Sequence, residues 1–321
     1  MKPKILVITP TKHIRGFNKN LRKLGNVSYL EDPSFEELVK NIKDVDAIFT
    51  NPNKTKIYLD KKIFKFAKKL RIICTASTGT NHINQKHTSE LGIKVISLTN
   101  QRRVINKISS TAEHAFALTL SSLRNIPNSM DSVRKGEWDY EKFIGKQMNC
   151  LKIGVIGYGR LGKMYCKYSK SMGSEVFVYD PYKKVKSTKI IQVDSLTEIF
   201  EICDIISLHV HVNEETTGLI GRKALSHAKD DILIVNTSRG EIINEEDLVK
   251  FLKKNPLSKF ATDVLTDEVR NRKLSPILRW ADKNNQIIIT PHIGGMTTNA
   301  QEIAYNHSLE LLSESLDSIK K

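Results

Sequence analysis

The stretch LKIGVIGYGRLGKM, Leu151 to Met164, does most to limit what this chain can fold into. It joins a β-branched apolar run to a helix-like segment through Gly157, Tyr158, Gly159, Arg160, Leu161 and Gly162. The first glycine of such a turn permits a sharp reversal, the second lets the backbone approach a pyrophosphate, and the third lets helix and strand pack closely. The helix N-terminus then presents unpaired N–H groups to the phosphates. The next apolar run, SEVFVYD, ends in Asp180, eighteen positions after Gly162. A carboxylate there accepts hydrogen bonds from ribose hydroxyls and repels a 2′-phosphate. Dinucleotide binding is therefore expected, with NAD favoured over NADP. Lys183 and Lys184 follow closely and soften that preference.

The same alternation of short apolar runs with helical patterns extends along the chain, the mark of parallel α/β layers. KILVITP, VDAIFT, RIICTAS and IKVISL form a first series of strands, with SFEELVKNIKD, IFKFAKKL and the end of a helix at SELG between them. The opening MKPKILVITP lacks a small-residue cleavage site and reads as a strand, not a signal peptide. LKIGVIG, EVFVYD, DIISLHV, DILIVNTS, KFATDV and QIIIT form a second series. Between the two lie the polar, basic QRRVINKISS and the helix STAEHAFALTLSSLRNIP. That helix is apolar almost all round, through Ala112, Ala115, Phe116, Leu118, Leu120 and Leu123, so it is buried in the protein or at a subunit interface. A long amphipathic helix runs from about Thr297 to the end.

With 321 residues and 40% hydrophobic content, the chain suits two domains. No segment approaches the ~20 apolar residues of a membrane helix. Four scattered cysteines, without a CxxC pair, indicate neither a zinc site nor a disulfide framework, and a cytoplasmic location is the simple inference. The net charge of +16 comes from lysines spread along the chain without a block of like charges. It reads as a solvated surface, compatible with a small anionic substrate, more than as a nucleic-acid interface.

Three strand ends in the second series carry chemistry, at the carboxyl edge where parallel sheets bind ligands. VNTSRG places Arg239 there, a fork able to hold a carboxylate or carbonyl. FATDVLTDE carries Asp263 and Glu268. IIITPHIGG sets His292 between a proline and two glycines at the mouth of a three-isoleucine strand that reads as buried. His209 and His211 alternate on one strand with no carboxylate or cysteine at ligand spacing, so no metal is expected. His114 reads as a packing or hydrogen-bonded helix residue.

Taken in order, GYGRLG with Asp180, SLHV with His209, VNTSRG with Arg239, DVLTDE with Glu268 and TPHIGG with His292 resemble the D-isomer-specific 2-hydroxyacid dehydrogenases over essentially the whole chain. The resemblance implies two Rossmann-like, flavodoxin-like doubly wound parallel-sheet domains with a cleft between them. Residues 1–103 and 295–321 would form the substrate domain and residues 104–294 the NAD-binding domain. It implies that His292 exchanges the proton of the substrate hydroxyl, Glu268 orients its imidazole, and Arg239 binds the carboxylate and C2 oxygen of a small 2-hydroxy or 2-keto acid. Arg160, Leu161, His209, Thr237, Asp263 and Gly295 would join the three glycines and Asp180 around the cofactor, Asp263 near the nicotinamide carboxamide. The loop Ser77-Thr78-Gly79 would bind the substrate carboxylate through backbone N–H groups. A homodimer is implied through the helix at 111–124 and the Trp138 arm.

The resemblance leaves two alternatives. GEWDYEKFIG resembles the arm of phosphoglycerate dehydrogenases, but it carries Asp139 and Glu141. The loop TNPNKTK offers only Lys54 or Lys56 to a phosphate, and Arg102, Arg103 and Lys107 stand in a segment that departs from the family's short NxPG loop. His211 stands where the family often has proline. The chain also ends where the longer phosphoglycerate dehydrogenases continue into a regulatory domain, so none is expected here. The other alternative is an NAD(H)-sensing protein that binds without turnover.

Overall fold

The computed structural model describes residues 2–52, 57–269 and 271–320. Lys54 and Lys56 lie outside the described residues. The chain divides into two compact units, Met1–Ile108 with Gly295–Lys321, and Ser109–Gly294. The first crossing thus lies five residues beyond the position expected from sequence (108 against 103). The polar QRRVINKISS segment is not a bare link, since it forms a short helix, Arg102–Ile105.

The first unit holds a five-stranded parallel sheet of β1 (Lys4–Val7), β2 (Asn26–Tyr29), β3 (Ala47–Thr50), β4 (Ile72–Thr75) and β5 (Lys94–Ile96). The strand order is β2-β1-β3-β4-β5. Alternation along the strands sends Ile5 and Val7 to one face and Leu6 and Ile8 to the other, and both faces are covered. On the first face the helix Thr298–Lys320 lays down Tyr305, Leu309, Leu312 and Leu316. Tyr305 meets Phe17 edge-on, with ring centres 5.4 Å apart. The helix Phe35–Asn41 covers the other face, and the serine before it caps it in a reciprocal box with Glu37.

The second unit holds seven parallel strands: β6 (Lys152–Ile156), β7 (Glu175–Tyr179), β8 (Ile191–Gln192), β9 (Ile205–Leu208), β10 (Leu233–Asn236), β11 (Lys259–Thr262) and β12 (Ile287–Ile289). Their order, β12-β11-β10-β9-β6-β7-β8, reverses direction between β6 and β9. That is a doubly wound sheet with its switch point beside the glycine turn. The near-all-apolar helix Ser110–Leu123 is buried within this unit, where Ala115 and Leu118 pack among Ile153, Val155, Val235 and Ala261. The isoleucines of β12 are only half-buried, because β12 is an outer strand paired with β11 alone. Among the described residues no helix is long and apolar enough to cross a membrane.

Candidate active site

The glycine turn follows β6 as its residues require. Gly157 has φ +96, and a Cβ there would stand 2.5 Å from the His209 carbonyl oxygen. A Cβ on Gly162 would collide with the Gly157 carbonyl, whereas Gly159 faces open space except for the Lys183 ammonium. The helix Arg160–Ser171 begins here without a side-chain cap, so its positive N-terminal end faces the turn. Burial pulls the Arg160 guanidinium below its ordinary range. Leu161 is half-buried in the same first turn. Asp180 lies just past β7, where Oδ2 accepts from the Tyr158 amide at 2.7 Å and Oδ1 from the Tyr182 amide at 2.9 Å. Each carboxylate oxygen keeps acceptor capacity for a ribose hydroxyl.

His209 presents its backbone, not its ring, to the turn. The ring packs 5.1 Å from Tyr165, Nε2 pairs with Ser207 Oγ at 2.9 Å, and Nδ1 is buried without a hydrogen-bond partner. Burial pushes this imidazole down to about 3, so it stays neutral at ordinary pH. Among the described residues no group of three or more His, Cys, Asp or Glu side chains could hold a metal ion.

The three strand-end loops after β10, β11 and β12 lie on adjacent strands and brace one another. After β10, Asn236 donates to the Arg239 carbonyl at 2.9 Å and accepts from the Ser238 amide at 3.0 Å. Ser238 Oγ donates to the Leu208 carbonyl at 2.6 Å, and Thr237 is buried between them in sequence. The Arg239 side chain is half-buried, its Nη1 donating to the Ser238 carbonyl at 2.6 Å. Gly240 has no room for a Cβ, because the Leu265 and Thr266 backbone runs against it. This close approach sets the arginine loop beside the segment that leads to Glu268.

Glu268 Oε1 lies 2.5 Å from His292 Nδ1, and both side chains are about one-fifth exposed (19%). Glu268 Oε2 also accepts from the Leu265 amide at 3.3 Å. His292 has φ +54, a left-handed conformation that non-glycine residues seldom adopt. Its N–H donates to the Thr290 carbonyl at 2.9 Å and closes a tight turn about Pro291.

Asp263 holds that loop. Its carboxylate is 2% exposed and accepts from Thr290 Oγ1 at 2.6 Å, Ile293 N at 2.8 Å and Gly294 N at 2.7 Å. His114 Nε2 lies 3.3 Å from Asp263 Oδ1 and 2.9 Å from Thr290 Oγ1. Burial pushes the Asp263 carboxyl up, but these bonds more than offset it and leave it below the usual carboxylate range. Two braces went unrecognised in the sequence. One is the clamp of Thr290 and His114 on Asp263. The other is buried Glu245, which accepts from the Thr266 amide at 2.8 Å and from Ser275 Oγ at 2.5 Å. NEEDL looks like an ordinary acidic first helical turn, so nothing in it marked Glu245 as buried.

In the first unit, Ser77, Thr78 and Gly79 follow the carboxyl end of β4. Ser77 Oγ donates to the Gly79 carbonyl at 2.6 Å, and Thr99 Oγ1 donates to the Thr78 carbonyl at 2.7 Å. The amides of Ser77, Thr78 and Gly79 donate to no group among the described residues, which leaves an anion-receptive run of N–H groups. Gly295 is the first residue of the segment that returns to this unit, and a Cβ there would meet nothing within 4 Å.

Residues 116–294 match the family described as D-isomer specific 2-hydroxyacid dehydrogenase, NAD binding domain. The hydroxypyruvate reductase of Thermotoga maritima is 32% identical over 271 residues, covering 83% of each chain. The chain belongs to the D-isomer specific 2-hydroxyacid dehydrogenase family. The D-3-phosphoglycerate dehydrogenase of Methanocaldococcus jannaschii is 33% identical over 289 residues, which is 89% of this chain and 52% of that protein. The chain thus spans about half the length of the phosphoglycerate dehydrogenases it matches. The fold is also that of the D-lactate dehydrogenase from Aquifex aeolicus solved with NAD and lactic acid, at a TM-score of 0.82 and 24% identity, over 98% of this chain and 96% of that one.

Proposed function

We propose that the chain is an NAD-dependent D-2-hydroxyacid dehydrogenase, with His292 as acid–base group, Glu268 as its orienting partner and Arg239 as the substrate anchor. The observation that carries the reading is the 2.5 Å contact between Glu268 Oε1 and His292 Nδ1. With Nδ1–H donating to the carboxylate, Nε2 carries the lone pair that takes the proton of a substrate hydroxyl. In the reductive direction the same nitrogen returns it. The Arg239 fork binds the carboxylate and C2 oxygen and stabilises negative charge on that oxygen as the bond order changes. The nicotinamide ring, when bound, accepts or supplies the C2 hydride. The uncapped helix N-terminus at Gly159 and the acceptor pair of Asp180 fit the phosphates and ribose of such a cofactor. The amides of Ser77, Thr78 and Gly79 are assigned to a substrate carboxylate.

The named relatives act on hydroxypyruvate and on D-3-phosphoglycerate, which supports a small 2-hydroxy or 2-keto acid as the substrate class. A homodimer belongs to the same reading. Trp138 is 91% exposed, and Tyr140 and Ile144 stand beside it in sequence, also exposed. In the preceding helix, Ile126–Arg134, Ile126, Met130 and Val133 are exposed at helical spacing. Two acids of the arm, Glu137 and Asp139, lie 3.4 Å and 3.7 Å from Lys142, which offsets part of their charge. Trp138→Glu should shift the protein from dimer to monomer in light scattering.

The test of the reaction is NADH oxidation against a panel of 2-keto acids, with and without phosphate, using wild type and His292→Asn. Asparagine tolerates the left-handed backbone, so the substitution removes the imidazole without adding strain. Turnover of one class of acid, reduced about 10²- to 10⁴-fold in the variant with NADH affinity retained, is expected. Wild-type NADH binding without turnover of any acid would instead favour the sensing alternative.

A further inference from the structure

We propose that Lys183 is a cofactor-phosphate ligand that contacts the pyrophosphate and not a 2′-phosphate. The proposal rests on reading residues 157–180 as the dinucleotide site. Lys183 lies three residues beyond Asp180, where an ordinary lysine would pair with the aspartate. Among the described residues no such pair forms, and the Lys183 ammonium makes no ion pair or hydrogen bond with any other described group. The Asp180 oxygens are turned instead to the amides of Tyr158 and Tyr182.

The ammonium stands over the glycine turn. The position that a Cβ would take on Gly159 lies 3.8 Å from Lys183 Nζ, and no other group approaches it within 4 Å. Gly159 is the residue at which the backbone must come closest to a pyrophosphate. An anion placed there meets the uncapped N–H groups of the helix Arg160–Ser171 on one side and the lysine on the other. A 2′-phosphate would lie at Asp180, at the end of β7, whereas the ammonium is placed beside Gly159.

The backbone that aims Lys183 is fixed. Gln192 Nε2 donates to the Lys183 carbonyl at 2.9 Å and to the Asp180 carbonyl at 3.4 Å, while Gln192 Oε1 accepts from the Val185 amide at 2.9 Å. The loop from 180 to 185 is therefore tied to β8. Because the side chain itself is exposed, its contribution is modest and screened by salt.

The experiment is a fluorescence titration of wild type, Lys183→Met and Lys183→Arg with NADH, with NADPH and with ADP-ribose in competition, each at low and high salt. The expected result is a rise of about fivefold in Kd for all three ligands in Lys183→Met at low salt, a smaller rise at high salt, and recovery in Lys183→Arg. An unchanged Kd overturns the proposal, and so does a loss confined to NADPH, which would assign the lysine to the 2′-phosphate. Failure of wild type to bind any of the three would overturn the dinucleotide reading itself, and this proposal with it.

Discussion

Replacing Asp263 with asparagine tests whether one buried carboxylate organises the His292 loop. The wild-type carboxylate accepts from Thr290 Oγ1, Ile293 N and Gly294 N at 2.6–2.8 Å, with His114 Nε2 3.3 Å away. An asparagine can aim its oxygen at only one side. Its NH₂ then faces a backbone N–H, donor against donor, in a site that is 2% exposed. A buried unsatisfied donor costs about 1–3 kcal/mol, and the bonds that remain lose their charge assistance. Together these give about 3–5 kcal/mol, the range found when one partner of a buried charged network is removed. Thr290→Val removes the Oγ1 bonds to Asp263 and His114 but leaves the two amide bonds to the carboxylate, and should cost less, about 1–3 kcal/mol. Both tryptophans, Trp138 and Trp280, lie in the second unit, so intrinsic fluorescence in a urea titration reports its unfolding directly. The carboxyl sits below its unfolded value, so its contribution is present above about pH 4 and is lost as pH falls through the lower folded value. That acid loss should shrink in the variant. A destabilisation below about 1 kcal/mol would refute the argument that these bonds set the loop.

Other residues give independent tests. Glu268→Gln keeps the shape of the pair but removes the charge, so kcat should fall about 10²-fold with NADH affinity unchanged, read in steady-state assays and titrations. His209 is held near a pKa of about 3 against 6.5 when unfolded, so the folded state binds fewer protons between those values and stability rises with pH there. Its contribution is full above pH 6.5 and is lost as pH falls, roughly 2 kcal/mol between pH 6.5 and 5, and His209→Gln should flatten that slope in urea titrations at each pH. Gly159→Ala should unfold like wild type yet bind NADH at least tenfold more weakly, because its Cβ meets little protein but occupies the phosphate approach. Gly162→Ala should lose both stability and binding, because its Cβ collides with the Gly157 carbonyl.

The sheets were legible because their strands are apolar on both faces and bounded by turn residues, as in KILV, AIFT, IICT, IISL and LIVN. β2, with the half-polar NVSY, and the two-residue β8 carried too little pattern to be seen, and each is an outer strand held by one neighbour. The helix Phe17–Leu24 buries only Phe17 and Leu21, a signal diluted by five polar neighbours. IFKFAKKL yields a single turn, Lys61–Phe64, and not the longer helix its pattern suggested. In the site, the glycine spacing and the strand-end Arg, Glu and His could be read from residue types. The supports could not, because Asp263 with His114, and Glu245 with Ser275, are joined by tertiary contacts across 149 and 30 residues of sequence respectively.

Those supports explain why a histidine can occupy the left-handed backbone at position 292. A residue with a Cβ held there costs of order 1 kcal/mol or more and needs surroundings that over-determine it. Pro291 narrows the entry to the turn, and the Thr290 carbonyl takes the His292 amide. The Asp263 carboxylate then captures the two following amides, Ile293 and Gly294, so the chain is fixed on both sides of the strained residue. Glu268 fixes the ring from the neighbouring strand end, through a backbone whose own Asp267 also has positive φ (51°). If strain at His292 is balanced in this way, His292→Gly should be more stable than His292→Ala, because both lose the bond to Glu268 but only glycine adopts φ +54 without penalty. A difference of about 1 kcal/mol in that order is expected from urea unfolding. The opposite order would mean that the left-handed turn is relaxed in solution and that Asp263 holds a loop which needs no holding.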